Sequence, residues 1–219
     1  MFPEYDKGIY IDSDIVVPGD ISELYNTDLG TNLVGAIPDE SVQNIEPFQI
    51  YVEKRIHCNS YTEYFNAGIL VMNLKELRTF DFETKFINMI SQVTFNVAQD
   101  QDYLNAICRN RVKLISTVWN KMPMPNPNVK EEDIRLMHFN LDMKPWQRDG
   151  VMYETKFWEY ARLTDFYEDI VEYKKNYPPA WLKDRERETI ELIALTQKQS
   201  EETEENKRIL NVINKICNN

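Results

Sequence analysis

Lys7-Gly8-Ile9-Tyr10-Ile11-Asp12-Ser13-Asp14-Ile15-Val16-Val17-Pro18-Gly19-Asp20 is the stretch on which the reading of this chain turns. Residues 7–11 are short, β-branched and aromatic, the mark of a buried strand. Two carboxylates follow at once, one residue apart. Side chains on an extended strand repeat every two residues, so Asp12 and Asp14 lean to the same side. Two hard oxygen ligands at a strand end suit a divalent cation, and a cation there can hold phosphate oxygens. The plainer alternative is an acidic strand end running into a turn.

Working outward, Asp20 caps a short helix over 21–25. Leu33-Val34-Gly35-Ala36-Ile37 reads as a second buried strand ended by Pro38. Residues 39–64 are polar and irregular and read as a long loop with a helical piece, the kind that often carries function. Phe65-Asn66-Ala67-Gly68 then reads as a turn leading into the strand Ile69-Leu70-Val71-Met72. Helices are expected over 74–79, 83–93 and 100–108, and short strands over 112–115 and 134–139. Strands alternating with helices indicate an α/β domain. Residues 151–177 read as helical and aromatic-rich, and the set Tyr153, Phe157, Trp158, Tyr160, Phe166 and Tyr167 as core packing. Residues 182–219 read as a charged tail of one or two amphipathic helices, split by the polar stretch 196–208. Acids balance bases there, which favours packing or self-association over membrane anchoring.

Bulk properties narrow the function. The chain has 219 residues, 42% hydrophobic, enough for one sizeable domain, and aromatics at 12% argue against disorder. A net charge of −11 and a pI near 4.8 leave no basic face for nucleic acid. An acidic protein handling an anionic substrate must place positive charge locally, through a metal or single basic residues. Cys58, Cys108 and Cys217 show no metal spacing or close pairing and read as reduced thiols in a cytoplasm. No apolar run reaches membrane-span length. The opening Met1-Phe2-Pro3-Glu4-Tyr5 lacks the basic start and apolar run of a signal peptide.

Four features call for a joint explanation: Asp12-x-Asp14, Asn66-Ala67-Gly68, Asp100-Gln101-Asp102 at a helix start, and His138 followed by Lys144-Pro145-Trp146. His138 ends an expected strand, as Asp12 does, and ligands gather at such strand ends. An imidazole with two carboxylates suits Mn²⁺ or Mg²⁺, and the nitrogen tilts the choice toward Mn²⁺. Lys144, on a loop stiffened by Pro145 and Trp146, suits a phosphate. Each feature has an ordinary explanation when taken alone: a partly buried histidine, a solvated lysine, helix N-terminal charges, a close-packed glycine.

In this order, Ile9–Asp20, Phe65–Leu74, Asp100-Gln101-Asp102-Tyr103-Leu104-Asn105, Trp119-Asn120 and His138 through Trp146 resemble glycosyltransferase family 8. These are retaining enzymes that include bacterial lipopolysaccharide glucosyl- and galactosyltransferases. The resemblance covers roughly residues 5–160. It implies a partial GT-A fold, α/β with a mixed sheet flanked by helices and a helical C-terminal extension. It implies a catalytic portion over 1–150, an aromatic helical segment over 151–181 packed on it, and the tail 182–219. It implies that Asp12, Asp14 and His138 bind Mn²⁺ (or Mg²⁺), that Gln101 and Asp100 serve catalysis, and that Asp12, Ser13, Asp39, Asn66, Ala67 and Lys144 bind the donor. The implied reaction moves glucose or galactose from a UDP-hexose to a cell-surface glycan or lipid-linked saccharide of the lipopolysaccharide type. The implied place is the cytoplasm or the inner membrane face, with self-association through the C-terminal helices as a further expectation.

Two departures stand out. Many relatives carry glycine where this chain has Leu141. The family also has a long segment ahead of the Asp-x-Asp strand, whereas eleven residues precede Asp12 here. The chain therefore reads as the C-terminal two-thirds of a family member, inactive alone. The alternatives are a non-catalytic interaction module, or a phosphatase of the haloacid-dehalogenase type, whose strand–Asp-x-Asp motif residues 9–16 also meet.

Overall fold

The computed structural model describes residues 3–218; Met1 and Phe2 of the opening stretch, and Asn219, lie outside the described residues. A four-stranded mixed sheet runs in the order β1 (Lys7–Ile11), β4 (Phe65–Asn73), β3 (Val34–Pro38), β5 (Val112–Leu114). β4 is antiparallel to both its neighbours, while β3 and β5 are parallel. The carboxyl ends of β1 and β3 and the amino end of β4 therefore share one edge of the sheet. Asp12, Asp39 and Asn66 stand at those ends.

The Asn66-Ala67-Gly68 segment, expected as a turn, is part of β4, which is buried from Phe65 to Val71. Buried central strands read as continuous apolar runs, and Asn66 disguised this one. Pairing with β3 shifts between Ala36 (opposite Leu70) and Ile37 (opposite Asn66). Such a bulge re-aims side chains at a sheet edge. On the other side of β4, the Gly68 carbonyl accepts from the Asp12 N–H at 2.8 Å.

A two-stranded ribbon pairs β2 (Ile15–Val16) with β6 (Met137–His138), setting Ile15 opposite His138. The strand expected over 134–139 shrinks to these two residues. Arg135 and Leu136 both donate instead to the Val118 carbonyl of the 3₁₀ turn at Thr117–Trp119.

The helix α1 (Ile21–Tyr25) is capped by Asp20, which accepts from the Ser22 N–H. The polar stretch 39–64 holds more helix than expected, with α2 (Glu40–Asn44), α3 (Glu46–Lys54) and a 3₁₀ turn at Tyr61–Glu63. α2 is too short to show periodicity in sequence. Its signal is the cap, Asp39, accepting from the Ser41 and Val42 N–H groups. α4 (Leu74–Thr79), α5 (Phe82–Gln92) and α6 (Asp100–Cys108) fall where the sequence puts them.

α7 (Glu154–Ala161) and α8 (Tyr167–Lys175) carry the aromatic segment, followed by α9 (Pro179–Glu201) and α10 (Thr203–Cys217). The polar stretch 196–208 is helical apart from the break at Glu202, and Thr196, Gln199, Ser200 and Asn206 are buried. Its polarity serves internal contacts: Arg55 Nη1 donates to Glu202 Oε2 at 3.0 Å and to Asn206 Oδ1 at 2.9 Å, and His57 Nε2 donates to the Asn206 carbonyl at 2.7 Å. Ile209, Ile213 and Ile216 of α10 recur at helical spacing and enter the main core beside Val52, Ile56, Met89 and Ile107.

The aromatic segment is only partly core. Phe157 stacks on Trp146 at 5.0 Å, whereas Phe166 and Tyr173 stand out in solvent. Cys58, Cys108 and Cys217 are free thiols. Among the described residues, no helix is long and apolar enough to cross a membrane.

Candidate active site

The shared sheet edge opens into a cleft of about 310 Å³. Asp12, Asp14, Asp39, Asn66, Ala67, Asp100, Gln101 and His138 all line it, so most of the sequence-predicted residues meet. Ser13 lines a neighbouring aromatic cavity instead. Lys144 reaches in from its loop to pair with Asp14 and lies 5.6 Å from the centre of the Trp146 ring.

At one end, ligand atoms of Asp12, Asp14 and His138 all lie within 4.8 Å of one another. β1 carries Asp12 to the sheet edge, and the β2–β6 ribbon brings His138 back beside Asp14. His138 Nε2 is 3.2 Å from Asp14 Oδ1 and 3.8 Å from Asp12 Oδ2. Its other nitrogen, Nδ1, donates to Asn120 Oδ1 at 2.9 Å. Asn120 Nδ2 in turn donates to Asn66 Oδ1, which fixes the direction of the amide. This chain leaves the Nε2 lone pair facing two carboxylates, an arrangement that only a proton or a cation relieves. Asp14 Oδ1 is buried with no hydrogen-bond partner. The donor set therefore fits a divalent cation of the Mn²⁺ or Mg²⁺ kind. Burial works to raise the Asp14 pKa, but a protonated His138 together with the Lys144 ammonium overcomes it and holds the carboxyl well below the usual range. Tyr10 donates to Asp12 Oδ1 at 2.7 Å, and that bond is the main reason its hydroxyl is pushed up to about 12.

Gly68 belongs to this end by lacking a side chain. A Cβ there would meet His138 Cε1 at 2.4 Å and Asp12 Oδ2 at 2.8 Å. The close-packing explanation of this glycine is correct, and what packs against it is the metal-type triad.

The middle of the cleft is an amide network. Gln101 Oε1 accepts from Asn66 Nδ2 at 3.0 Å and from the Ala67 N–H at 2.9 Å. Gln101 Nε2 donates to Asp39 Oδ2 at 3.0 Å and to the Tyr64 hydroxyl at 3.2 Å. Asn66 Nδ2 also donates to Asp39 Oδ2 at 3.0 Å. Both ends of the Gln101 amide are thus engaged, and its orientation is set.

Behind the network lies Asp102, fully buried. It accepts from the Tyr51 and Tyr64 hydroxyls at 2.9 and 2.7 Å and from the Ala98 N–H at 3.0 Å. Burial dominates these contacts and pushes its carboxyl up to about 6. Asp102 holds the floor of the site without lining it. Below Asp39, the buried Lys121 ammonium bonds Glu40 Oε2 at 3.0 Å and the Met122 and Met124 carbonyls at 2.7 Å each. The sequence had singled out Trp119-Asn120 without giving Asn120 a role, and it gave no sign of Tyr10, Tyr64 or the Glu40–Lys121 pair. Asn120 and Tyr64 act through other polar groups, and those contacts join residues far apart in the chain.

The far end is apolar, with Val42, Phe48, Val52, Val97 and Leu192 on its walls. Leu192 comes from α9, so that helix closes this end of the cleft. Leu141 lines the mouth with φ at 51°, in the left-handed region that glycine occupies without strain.

A family model described as Glycosyl transferase family 8 matches residues 1–150. A putative glycosyltransferase of Haemophilus influenzae is 35% identical over 133 residues, covering 59% of this chain and 38% of its own. The lipopolysaccharide 1,2-glucosyltransferase of Escherichia coli is 25% identical over 193 residues, covering 78% and 56%. Among solved structures, the galactosyltransferase LgtC in complex with donor and acceptor sugar analogues superposes with a TM-score of 0.56 at 26% identity, covering 83% of this chain and 66% of that one. The chain thus spans about half the length of the curated relatives it matches. The structural likeness shows the GT-A fold. Asp100 and Asp102 stand in the first turn of α6, not at the strand end that a haloacid-dehalogenase-type phosphatase requires.

Proposed function

The chain belongs to glycosyl transferase family 8, and from that premise we propose that its cleft is the donor site of a metal-dependent retaining hexosyltransferase. The observation that carries the reading is the triad Asp12, Asp14 and His138, with a buried, unpartnered Asp14 oxygen, set against the Asn66–Gln101–Asp39 network. The donor is a UDP-hexose, glucose or galactose, and the acceptor a glycan or lipid-linked saccharide.

Asp12, Asp14 and His138 would hold Mn²⁺ or Mg²⁺, which when bound offsets the charge growing on the departing diphosphate. Lys144 adds a second positive charge there, exchanging its pairing with Asp14 for a diphosphate oxygen. Asp39, Asn66 and the Ala67 backbone frame the hexose, and Asp100 accepts from one of its hydroxyls.

Retention demands either a covalent intermediate or attack from the leaving-group face. A carboxamide is a poor nucleophile, and both hydrogen-bonding ends of Gln101 are already committed. Same-face attack follows. The acceptor hydroxyl oxygen bonds to the anomeric carbon as the bond to the diphosphate breaks. The electron pair goes to the diphosphate oxygen, which takes the acceptor's proton. Gln101 stands beside the positively charged sugar and stabilises it by its amide dipole.

Calorimetric titration of the purified chain with UDP-galactose and UDP-glucose, with and without Mn²⁺, tests the reading. Mn²⁺-dependent binding that Lys144→Ala weakens while the melting temperature holds is expected. Binding indifferent both to Mn²⁺ and to Lys144 would end it.

A further inference from the structure

Two cavities adjoin on one side of α8, outside the cleft. The first, of about 450 Å³, is lined by Ser13, Trp146, Phe157 and Phe166 and ends at Asp169 and Tyr173. The second, of about 430 Å³, starts from the same Asp169 and Tyr173 and continues past Glu172 and Asn176 to Tyr177 and Trp181. They share Asp169 and Tyr173 and together make one groove with Ser13 at its end.

Trp146 and Phe157 pack against the core cluster of Val16, Met137 and Phe139, but three other rings are not spent on the core. Phe166 is 67%, Tyr173 47% and Trp181 52% exposed. Tyr173, Tyr177 and Trp181 form a ladder with centroids 5.6 Å apart at each step. Carboxylates and an amide stand among the rings, and no Lys or Arg lines either cavity among the described residues.

That composition selects a ligand class. An anionic headgroup or phosphate would meet Asp169 and Glu172 where the two cavities join, with no Lys or Arg among the lining residues there. A purely apolar partner would strip water from the same carboxylates and leave them unpaired. A pyranose satisfies both halves: its C–H face is apolar and lies on an aromatic ring, and its rim of hydroxyls donates to carboxylate and amide oxygens.

We propose that this groove binds an uncharged oligosaccharide. That the saccharide is the acceptor of transfer rests on the function proposed above; that the groove binds it does not. The groove also touches the metal-type site through Trp146, whose ring lies beside the Lys144 ammonium that pairs with Asp14.

The test uses the whole chain, with lactose, maltotriose and cellotriose as probes and tryptophan fluorescence as readout, since Trp146 and Trp181 both line the groove. The expected result is a saturable change for at least one probe, weakened about tenfold or more by Phe166→Ala and by Trp181→Ala. Both rings are exposed, so neither variant should shift the melting temperature. Mn²⁺-dependent UDP binding, measured in parallel, should be the same in both variants. No saturable change with any probe, or equal affinity in the variants, overturns the proposal. So does co-sedimentation with phosphatidylglycerol vesicles, or concentration-dependent self-association, that either variant abolishes while sugar binding is absent. Sugar binding without UDP binding would leave the groove standing and remove the donor reading, and the converse would do the opposite.

Discussion

Asn120 Oδ1 accepts from His138 Nδ1 at 2.9 Å, and its amide nitrogen donates to Asn66, so one side chain couples the metal-type end of the cleft to the sugar-type middle. A ligand's partner fixes ring direction and basicity as surely as the ligand itself. Asn120→Ala should therefore cost about 10–100-fold in Mn²⁺ affinity. Asn120→Asp, which keeps the acceptor for Nδ1, should recover much of it. Calorimetry on both variants distinguishes this from general loosening of the fold, which would lower the two alike.

Asp14→Asn should lower Mn²⁺ affinity far more than Asp142→Asn. Asp14 carries the unpartnered oxygen beside His138, whereas Asp142 is occupied by Arg148 at 3.2 Å. Comparable affinities for the two variants would count against the assignment of Asp14 as a ligand.

Leu141→Gly should relieve a left-handed backbone, a strain of about 1–2 kcal/mol in a residue with a Cβ, partly offset by the extra freedom of glycine in the unfolded chain. The expected outcome is unchanged or slightly raised stability in urea, together with tighter UDP binding as the backbone gains access to the diphosphate. Weaker UDP binding would show that the leucine side chain contributes a contact of its own.

Glu40→Gln should destabilise by about 3–5 kcal/mol, because it leaves the fully buried Lys121 ammonium without its counter-charge. Chemical denaturation reads the loss directly. A change under about 1 kcal/mol would mean that the Met122 and Met124 carbonyls suffice to hold the ammonium.

Asp102 gives a pH signature. Its folded pKa, about 6, lies above the ordinary aspartate value of 3.8, so between these limits the folded chain holds a proton that the unfolded chain releases. Stability from this group is full at pH below about 4 and falls as pH rises toward 6, by about 3 kcal/mol. Asp102→Asn has no such carboxyl. The stability of the native chain relative to this variant should decline across that window and level off above it, as urea midpoints at a series of pH values will show.

The fold and the site were unequally legible in the sequence. α4, α5 and α6 have apolar stripes or clear caps and fall at their expected places. Asp12, Asp14 and His138 were legible because each ends or adjoins a strand. α2 and α3 were not, because α2 is five residues long and its cap, Asp39, doubles as a site residue. The strand character of Asn66-Ala67-Gly68 was hidden because a buried amide breaks an apolar run. The exposure of Tyr160 and Phe166 is not legible, because an aromatic stripe looks the same whether a core or solvent covers it. Tyr10 shows in the sequence only as a strand residue, although its hydroxyl holds Asp12.

α10 bears on how the chain comes to be folded during synthesis. Ile209, Ile213 and Ile216 fill the same core as Val42, Tyr51 and Val52, which the ribosome delivers more than a hundred residues earlier. Contacts so distant in sequence form late and slowly. Until α9 and α10 clear the exit tunnel, the core that Val42, Tyr51 and Val52 share with Ile209, Ile213 and Ile216 is incomplete, and the nascent protein presents a surface suited to a chaperone. Fusions that hold the C-terminus back in the tunnel should therefore stay protease-sensitive in α3, however far the sheet edge with its aspartates has already emerged.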